Sequence, residues 1–453
     1  MDQGIMKHVP DIFISMASYR DPELIPTLHN MLEQAAHPEN LHIAISWQDD
    51  EDLSVFERAG LKPDGIRSVA GRQINAFRYF GTRVDIINLH YYQSQGACWA
   101  RNLAETLFEG EAYFLQIDSH CRFVPNWDSE MIAMLSQLQR KTAKPIISSY
   151  PPPFTPGEDE EASKKRYVSR LTFREFSQEG LPMLSSVPFT SEEPVPGSYL
   201  AGGFIFSTGD FIKQVPNDPH IFFAGEEIAM AVRAFTHGYD IFHPHKILLW
   251  HYYQRQECRK VWGDHTNEAK AEGTIAKAWW EWDKVSKLRV RTLLGLEETS
   301  HEALAPWALG HERTLRQFEY QAGIYLKNGT VLPEVMAPEH KTFFSEWPAD
   351  EAQWLERQFA YHKKTLTLSK AEYDTRDPAF ESLHVSVYTP QNVLLYKKTL
   401  ASSELETLRA NSNNDDIAIS FEFKTHAAAT PKFVRICPWS ADSGWGTVTE
   451  KTW

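Results

Sequence analysis

The sequence is poor in the features that would mark a secreted or membrane-embedded chain. Its 453 residues hold only four cysteines, Cys98, Cys121, Cys258 and Cys437, and no two of them form a C-x-x-C pair. That spacing argues against a zinc site and against a disulfide scaffold. No apolar run reaches the length of about 18 residues that a membrane-spanning helix requires. The opening M-D-Q-G-I-M-K-H-V-P-D lacks a basic leader followed by an apolar stretch. The expectation is a soluble, cytoplasmic protein without a membrane span. Basic blocks are missing too: 46 Lys and Arg stand against 60 Asp and Glu, a formal net charge of −14. Nucleic acid is therefore not an expected partner. A phosphate-bearing ligand would need local positive charge, most simply a metal ion and a few arginines.

What the chain does have is length for two or three domains and an aromatic content of 13% with 14 Trp. Aromatic surplus fits a large core or a surface for sugars or peptides. Up to residue 150, strand-like and helix-like stretches alternate. Strands are expected at Asp11–Ser18, Leu41–Trp47, Val84–Leu89, Tyr113–Asp118 and Lys144–Tyr150. Helices are expected from Pro22 to about Gln34, with Asp21 as N-cap and Pro22 at the first helical position, from Ser94 to about Phe108, and from Trp127 to Leu138. Such alternation predicts a mostly parallel sheet with helices on its faces.

Pro151–Pro196, with P-P-P-F-T-P-G-E-D-E-E, reads as a long excursion or lid in which Tyr167–Arg174 could be a strand. Order returns at Gly197–Ser207, where Gly202-Gly203 allows close backbone approach. Glu226–His237 reads as a helix closed by Gly238. Tyr239–His243 and Lys246–Trp250 read as short strands, and Thr274–Leu288 and Arg313–Tyr320 as helices. From about Glu339 the texture becomes β-type, at His384–Tyr388, Val393–Lys398, Ile417–Lys424 and Phe433–Cys437, with a polar loop at Asn411–Asp416. The expected division is residues 1–338 and a smaller, β-rich accessory domain at 339–453.

The chemistry centres on Asp118-Ser119-His120. An apolar strand that runs into a carboxylate puts that carboxylate at a carboxyl edge, where open α/β sheets bind ligands. Asp and His two residues apart offer a hard oxygen and a borderline nitrogen, a set suited to Mn²⁺ or a similar ion. The plain alternative is a strand end with a helix-capping Asp.

Five stretches together resemble a known family: S-M-A-S-Y-R-D-P-E-L at Ser15–Leu24, Q-S-Q-G-A-C-W-A-R-N at Gln93–Asn102, L-Q-I-D-S-H-C-R-F-V-P-N-W-D at Leu115–Asp128, A-G-G-F-I-F-S at Ala201–Ser207, and F-A-G-E-E-I-A-M-A-V-R-A-F-T-H-G-Y-D-I-F at Phe223–Phe242. The chain resembles glycosyltransferase family sixty, which adds N-acetylglucosamine to hydroxyproline of a polypeptide and is distantly similar to the mucin-type polypeptide GalNAc-transferases. The resemblance covers roughly Val9–Leu332. It implies a GT-A fold (Rossmann-like, with a mostly parallel sheet), UDP-GlcNAc as donor, Mn²⁺ or another divalent cation, and retention of anomeric configuration.

The resemblance maps the metal-binding D-x-H onto Asp118 and His120. The third ligand is a histidine beyond the Glu-bearing helix. His251 fits best because it ends a strand, whereas His243 and His245 flank Pro244 in an expected turn. Glu226 or Glu227 matches the family's catalytic glutamate, with no decision between them. Ser18 and Arg20 at the first strand end, Asp49 after the second, Arg101, Asp118, Gly202 and Gly203 are the expected donor-binding positions. Arg101 could instead pair with Asp118 or Asp128, and Gly202 and Gly203 could serve a tight strand crossing. The acceptor is expected to be a hydroxyl on a protein or a glycan. Two rival readings are a glycan- or peptide-binding protein on a transferase fold and an inverting transferase acting on a small glycan.

Overall fold

The structure is a computed structural model that describes residues 11–369, 380–410, 416–426 and 429–453. Of the expected polar loop Asn411–Asp416, residues 411–415 lie outside the described residues. The chain divides into two compact units. One comprises the residues up to Lys327 with Pro338–Trp347, the other Asn328–Ala337 with Pro348–Trp453.

The first unit is built on a ten-stranded sheet. Its strands are β1 (Ile12–Tyr19), β2 (Leu41–Gln48), β3 (Lys62–Val69), β4 (Arg72–Tyr79), β5 (Thr82–Leu89) and β6 (Tyr113–Asp118), followed after a short outlying β7 (Cys121–Phe123) by β8 (Pro145–Ser148). An outlying hairpin, β9 (Val168–Phe176) and β10 (Pro182–Phe189), intervenes. Then come β11 (Val195–Gly197), β12 (Phe204–Thr208) and β13 (Asp240–His243). The spatial order is β11-β13-β8-β12-β6-β1-β2-β5-β4-β3. At its centre β6, β1, β2 and β5 run parallel. Their apolar runs are buried on both faces, as helix-covered parallel strands require.

Helices α1 (Leu24–Gln34) and α3 (Trp127–Gln139) bury Leu28, Met31, Trp127 and Met131 against Ile14, Ile43 and Ile117. Helix α2 (Ala97–Glu105) packs on β1 and β2, where the Ser46 hydroxyl donates to the Ala100 carbonyl at 2.6 Å. This is the α/β layout expected of a GT-A domain, with a parallel centre and antiparallel flanks. Among the described residues no helix is long and apolar enough to cross a membrane.

Several expectations need correction. The first helix starts at Leu24 and not at Pro22, with Glu23 and not Asp21 at the cap position. The antiparallel edge β3–β4 was not foreseen, because K-P-D-G-I-R-S-V carries Pro and Gly and is mostly exposed, as edge strands tolerate. The excursion 151–196 holds the β9–β10 hairpin, longer than the single strand at Tyr167–Arg174. His243 lies in β13, paired within the main sheet, and not in a turn. Outside that sheet β14 (Leu249–His251) pairs antiparallel with β7, with His251 opposite Cys121.

The second unit has its own apolar core of Leu383, Val385, Val387, Ile417, Ile419, Val434 and Ile436, supplied by antiparallel strands. It also contains a helix at Ser402–Ala410 that the β-type texture did not suggest.

Candidate active site

Because β1, β2 and β6 are parallel, Tyr19, Gln48 and Asp118 end on the same edge of the sheet. A cleft of about 730 Å³ opens there, lined by Tyr19, Gln48, Asp118, His120, Glu226, Glu227 and His251 among others. The β7–β14 ribbon brings His251 beside His120: the Tyr252 amide donates to the His120 carbonyl at 3.0 Å, and the two imidazoles stand edge to face at 4.6 Å. The Asp118 Oδ2 lies 3.1 Å from His251 Nε2 and 3.8 Å from His120 Nε2. One ligand atom from each of the three residues falls within 4.8 Å of the others. Two imidazoles and a carboxylate are a donor set that suits Mn²⁺, Zn²⁺ or a similar ion.

The surroundings fit that purpose. A Cβ on Gly203 would stand 2.7 Å from Asp118 Oδ2, so glycine leaves this oxygen clear. The Nδ1 of His120 donates to Asp21 Oδ2 at 2.8 Å, which fixes the tautomer and leaves Nε2 with its lone pair toward the cleft. Burial is the main force that lowers the His120 pKa to about 4, so the ring is neutral at physiological pH. Burial tends to raise the Asp118 carboxyl, but the His251 hydrogen bond and the Arg101 charge hold it well below the usual carboxylate range. The buried Nδ1 of His251 has no hydrogen-bond partner.

The glutamates at the start of helix α4 (Glu226–Thr236) differ sharply. Glu226 Oε2 receives Arg101 Nη1 at 3.0 Å and the Cys98 thiol at 3.3 Å. Glu227 accepts from the Tyr150 hydroxyl at 2.5 Å and from the Gly202 amide at 3.0 Å. Burial, with the Glu226 charge adding to it, raises the Glu227 pKa to about 7 despite the Tyr150 bond. A Cβ on Gly202 would come within 2.2 Å of Glu226 Oε1. In the protein as it stands, the two glycines thus make room for the carboxylates Asp118 and Glu226.

Arg101 is buried and spends both terminal nitrogens, on Asp118 Oδ1 at 2.9 Å and on Glu226. This is the pairing with Asp118 that the sequence left open; Asp128 instead accepts from the Ala36 and His37 amides. Arg20 stacks on the Tyr91 ring at 4.0 Å and pairs with Asp264 at 3.3 Å. Asp49 folds back to accept from the Asp50 amide at 2.8 Å, and β2 presents Gln48 to the cleft in its place. The Ser18 hydroxyl is buried without a partner. His243 stands apart from the triad: its Nδ1 donates to the Ser148 carbonyl at 2.7 Å and its Nε2 accepts the Leu171 amide at 3.3 Å. His245 is half-buried and belongs to the loop after β13.

Sequence reasoning missed Asp21, Tyr150 and Arg255. Asp21 Oδ2 gathers the Ser119 hydroxyl at 2.5 Å, His120, and Arg255 Nη2 at 2.9 Å. Its place after a strand end, in a segment matching the family pattern, was a usable signal, but a helix-capping role absorbed it. Arg255 lies four positions beyond His251 in a loop without periodicity, and no sequence signal points to its contacts.

A family model described as Glycosyltransferase (GlcNAc) matches residues 11–77 and 70–325. No curated protein matches the sequence. Among solved structures, GalNAc-T7 with UDP, GalNAc and Mn²⁺ aligns with a TM-score of 0.41 at 12% identity. That alignment covers 69% of this chain and 54% of that one, so this chain spans about half of its length. TarS 1–349 from S. aureus aligns at 0.37 and 11% identity, covering 76% of this chain and 78% of that one. The mannosyltransferase PcManGT from Pyrobaculum calidifontis with GDP-Man and Mn²⁺ aligns at 0.34 and 12%, covering 63% and 70%. Likeness this distant carries no information about substrate.

Proposed function

The chain belongs to the GlcNAc glycosyltransferase family, and we propose that it moves GlcNAc from UDP-GlcNAc to a hydroxyl acceptor on a protein with the help of a divalent cation, Mn²⁺ first. The observation that carries the reading is the convergence of Asp118, His120 and His251 in the cleft at the carboxyl ends of β1, β2 and β6. These three residues would hold the ion, and what a divalent ion supplies there is charge to offset the donor diphosphate and the leaving UDP.

The chain's own residues set the rest. Asp21 orients His120. Arg101 holds Asp118 and Glu226 in one geometry through two charge-assisted bonds. Gln48 and Tyr19, at neighbouring strand ends in the cleft, would contact the uridine. Glu227, buried and half-ionised near neutral pH, can accept a hydrogen bond from an incoming hydroxyl and orient it. We favour front-face transfer with retention. The anomeric carbon–phosphate oxygen bond breaks as the bond to the acceptor oxygen forms on the same face, and the leaving phosphate takes the acceptor proton. Glu226, whose carboxylate is held in an ion pair by Arg101, is less suited to attack the anomeric carbon. The β-rich second unit, with its separate core, is read as an accessory module.

The test is a screen of UDP-sugars for UDP release. UDP-GlcNAc turnover that requires Mn²⁺ and stops with EDTA supports the proposal. Turnover of another sugar nucleotide in preference removes the GlcNAc assignment, and turnover unaffected by EDTA removes the metal.

A further inference from the structure

The nitrogen of His120 that faces the cleft is not free. With Nδ1 donating to Asp21, Nε2 is the acceptor of that ring, and Arg255 Nη1 donates to it at 3.2 Å. The same guanidinium places Nη2 2.9 Å from Asp21 Oδ2. Arg255 therefore grips both His120 and the carboxylate that orients it. An N–H that donates to a ring nitrogen lies along the nitrogen's lone pair. A metal–nitrogen bond of about 2 Å uses that same lone pair. The two arrangements exclude each other.

Arg255 also belongs to a strap across the cleft. The segment starts where the Tyr252 amide bonds the His120 carbonyl. It ends where Asp264 accepts from the Tyr19 hydroxyl at 2.9 Å and pairs with Arg20, and where His265 Nε2 donates to the Tyr91 carbonyl at 3.0 Å. Between these anchors Arg259, Lys260, Val261 and Trp262 line the cleft, and the Arg259 side chain is exposed.

We propose that Arg255 occupies the place of a cation beside Asp118, His120 and His251, and that it must leave His120 before that nitrogen can ligate an ion, so that metal loading and release of the strap Tyr252–Asp264 are one event. The inference rests on the metal-dependent reading above. Its consequence is thermodynamic: an ion binds the donor-free protein more weakly than its three ligands alone would allow, because the Arg255 contacts are given up.

The experiment measures Mn²⁺ binding to the full chain without donor, by the free-Mn²⁺ electron paramagnetic resonance signal. It compares the wild type with Arg255→Gln and Lys260→Gln. Lys260 lines the same cleft but touches no ligand, so its variant separates loss of the contact from loss of charge. Arg255→Gln should bind Mn²⁺ at least about tenfold more tightly, the order expected for removing a competing hydrogen bond and ion pair. Lys260→Gln, which removes a charge that Asp118 and Asp21 feel but no bond to His120, should gain clearly less than Arg255→Gln. In parallel, trypsin should cleave the wild type at Arg259 or Lys260 faster with Mn²⁺ than without, a readout that needs no variant to fold.

Equal affinity of Arg255→Gln and wild type, an equal gain in Lys260→Gln, or strap cleavage indifferent to Mn²⁺ would each overturn the inference. A wild type that binds no Mn²⁺ even with UDP-GlcNAc present would remove the metal-dependent reading as well. Binding that ignores Arg255 removes only this inference.

Discussion

Asp21 Oδ2 and His120 Nδ1 are 2.8 Å apart, across 99 positions of sequence. The bond turns a residue outside the D-x-H motif into the one that aims the motif's histidine. Partners of this kind change metal affinity by about 10- to 100-fold when lost. Asp21→Asn should therefore weaken Mn²⁺ binding by about that range while Asp118 and His251 remain in place. Calorimetric titration that finds wild-type affinity would show that Asp21 has no hold on the site.

Gly203 faces Asp118 Oδ2, where an added Cβ would sit at 2.7 Å. The clash meets the end of a side chain and not backbone, so the fold should survive. Gly203→Ala should keep a melting temperature within a few degrees of wild type and lose at least about tenfold in Mn²⁺ affinity. A variant that melts normally and binds Mn²⁺ normally would mean that Asp118 need not stay where it is.

Glu227 has a pKa raised to about 7 by burial and by Glu226. If its ionised form orients the acceptor, kcat/KM should rise through an inflection near pH 7. Glu227→Gln, which cannot titrate, should flatten that rise and lower the rate. A profile with the same inflection in both proteins assigns the titration elsewhere.

The meeting of Asp118, His120 and His251 was partly legible in the sequence because two of the three end strands. Asp118 closes an apolar run that reads as a buried strand, and His251 closes another short one. Parallel order carries the ends of β1, β2 and β6 to one edge, whereas His251 arrives on β14, outside that sheet and antiparallel to β7. What the sequence did not carry were contacts made across long separations. Arg101 meets both Asp118 and Glu226, and Tyr150 meets Glu227. No periodicity encodes such pairs. The fold was legible for the same reason in its parallel centre and was missed at its exposed edge. There β3 and β4 bury few side chains and leave a weak apolar pattern.

His42 is buried between two carboxylates, Glu111 at 2.5 Å and Asp85 at 2.7 Å, with Arg83 and Arg67 also on Asp85. Burial opposes the charged ring, but the two carboxylate bonds win and raise its pKa above the ordinary value. A raised folded-state pKa contributes stability that is fully present below the unfolded value, about 6.5, and is lost as pH climbs through the folded one. The melting temperature should fall from pH 6 toward alkaline pH by more in wild type than in His42→Gln. Parallel pH curves for the two would contradict the assignment.

The central claim is that Asp118, His120 and His251 hold the ion that the reaction needs. The direct measurement is UDP release from UDP-GlcNAc against Mn²⁺ concentration for wild type, His251→Ala, His243→Ala and His245→Ala. His251→Ala should lose at least roughly tenfold, about 1.4 kcal/mol of transition-state stabilisation, and regain part of it at high Mn²⁺. His245→Ala should follow wild type. His243→Ala should melt earlier, since it strips the Ser148 and Leu171 bonds, yet keep the wild-type Mn²⁺ midpoint. Normal activity and an unchanged Mn²⁺ midpoint in His251→Ala would contradict the account.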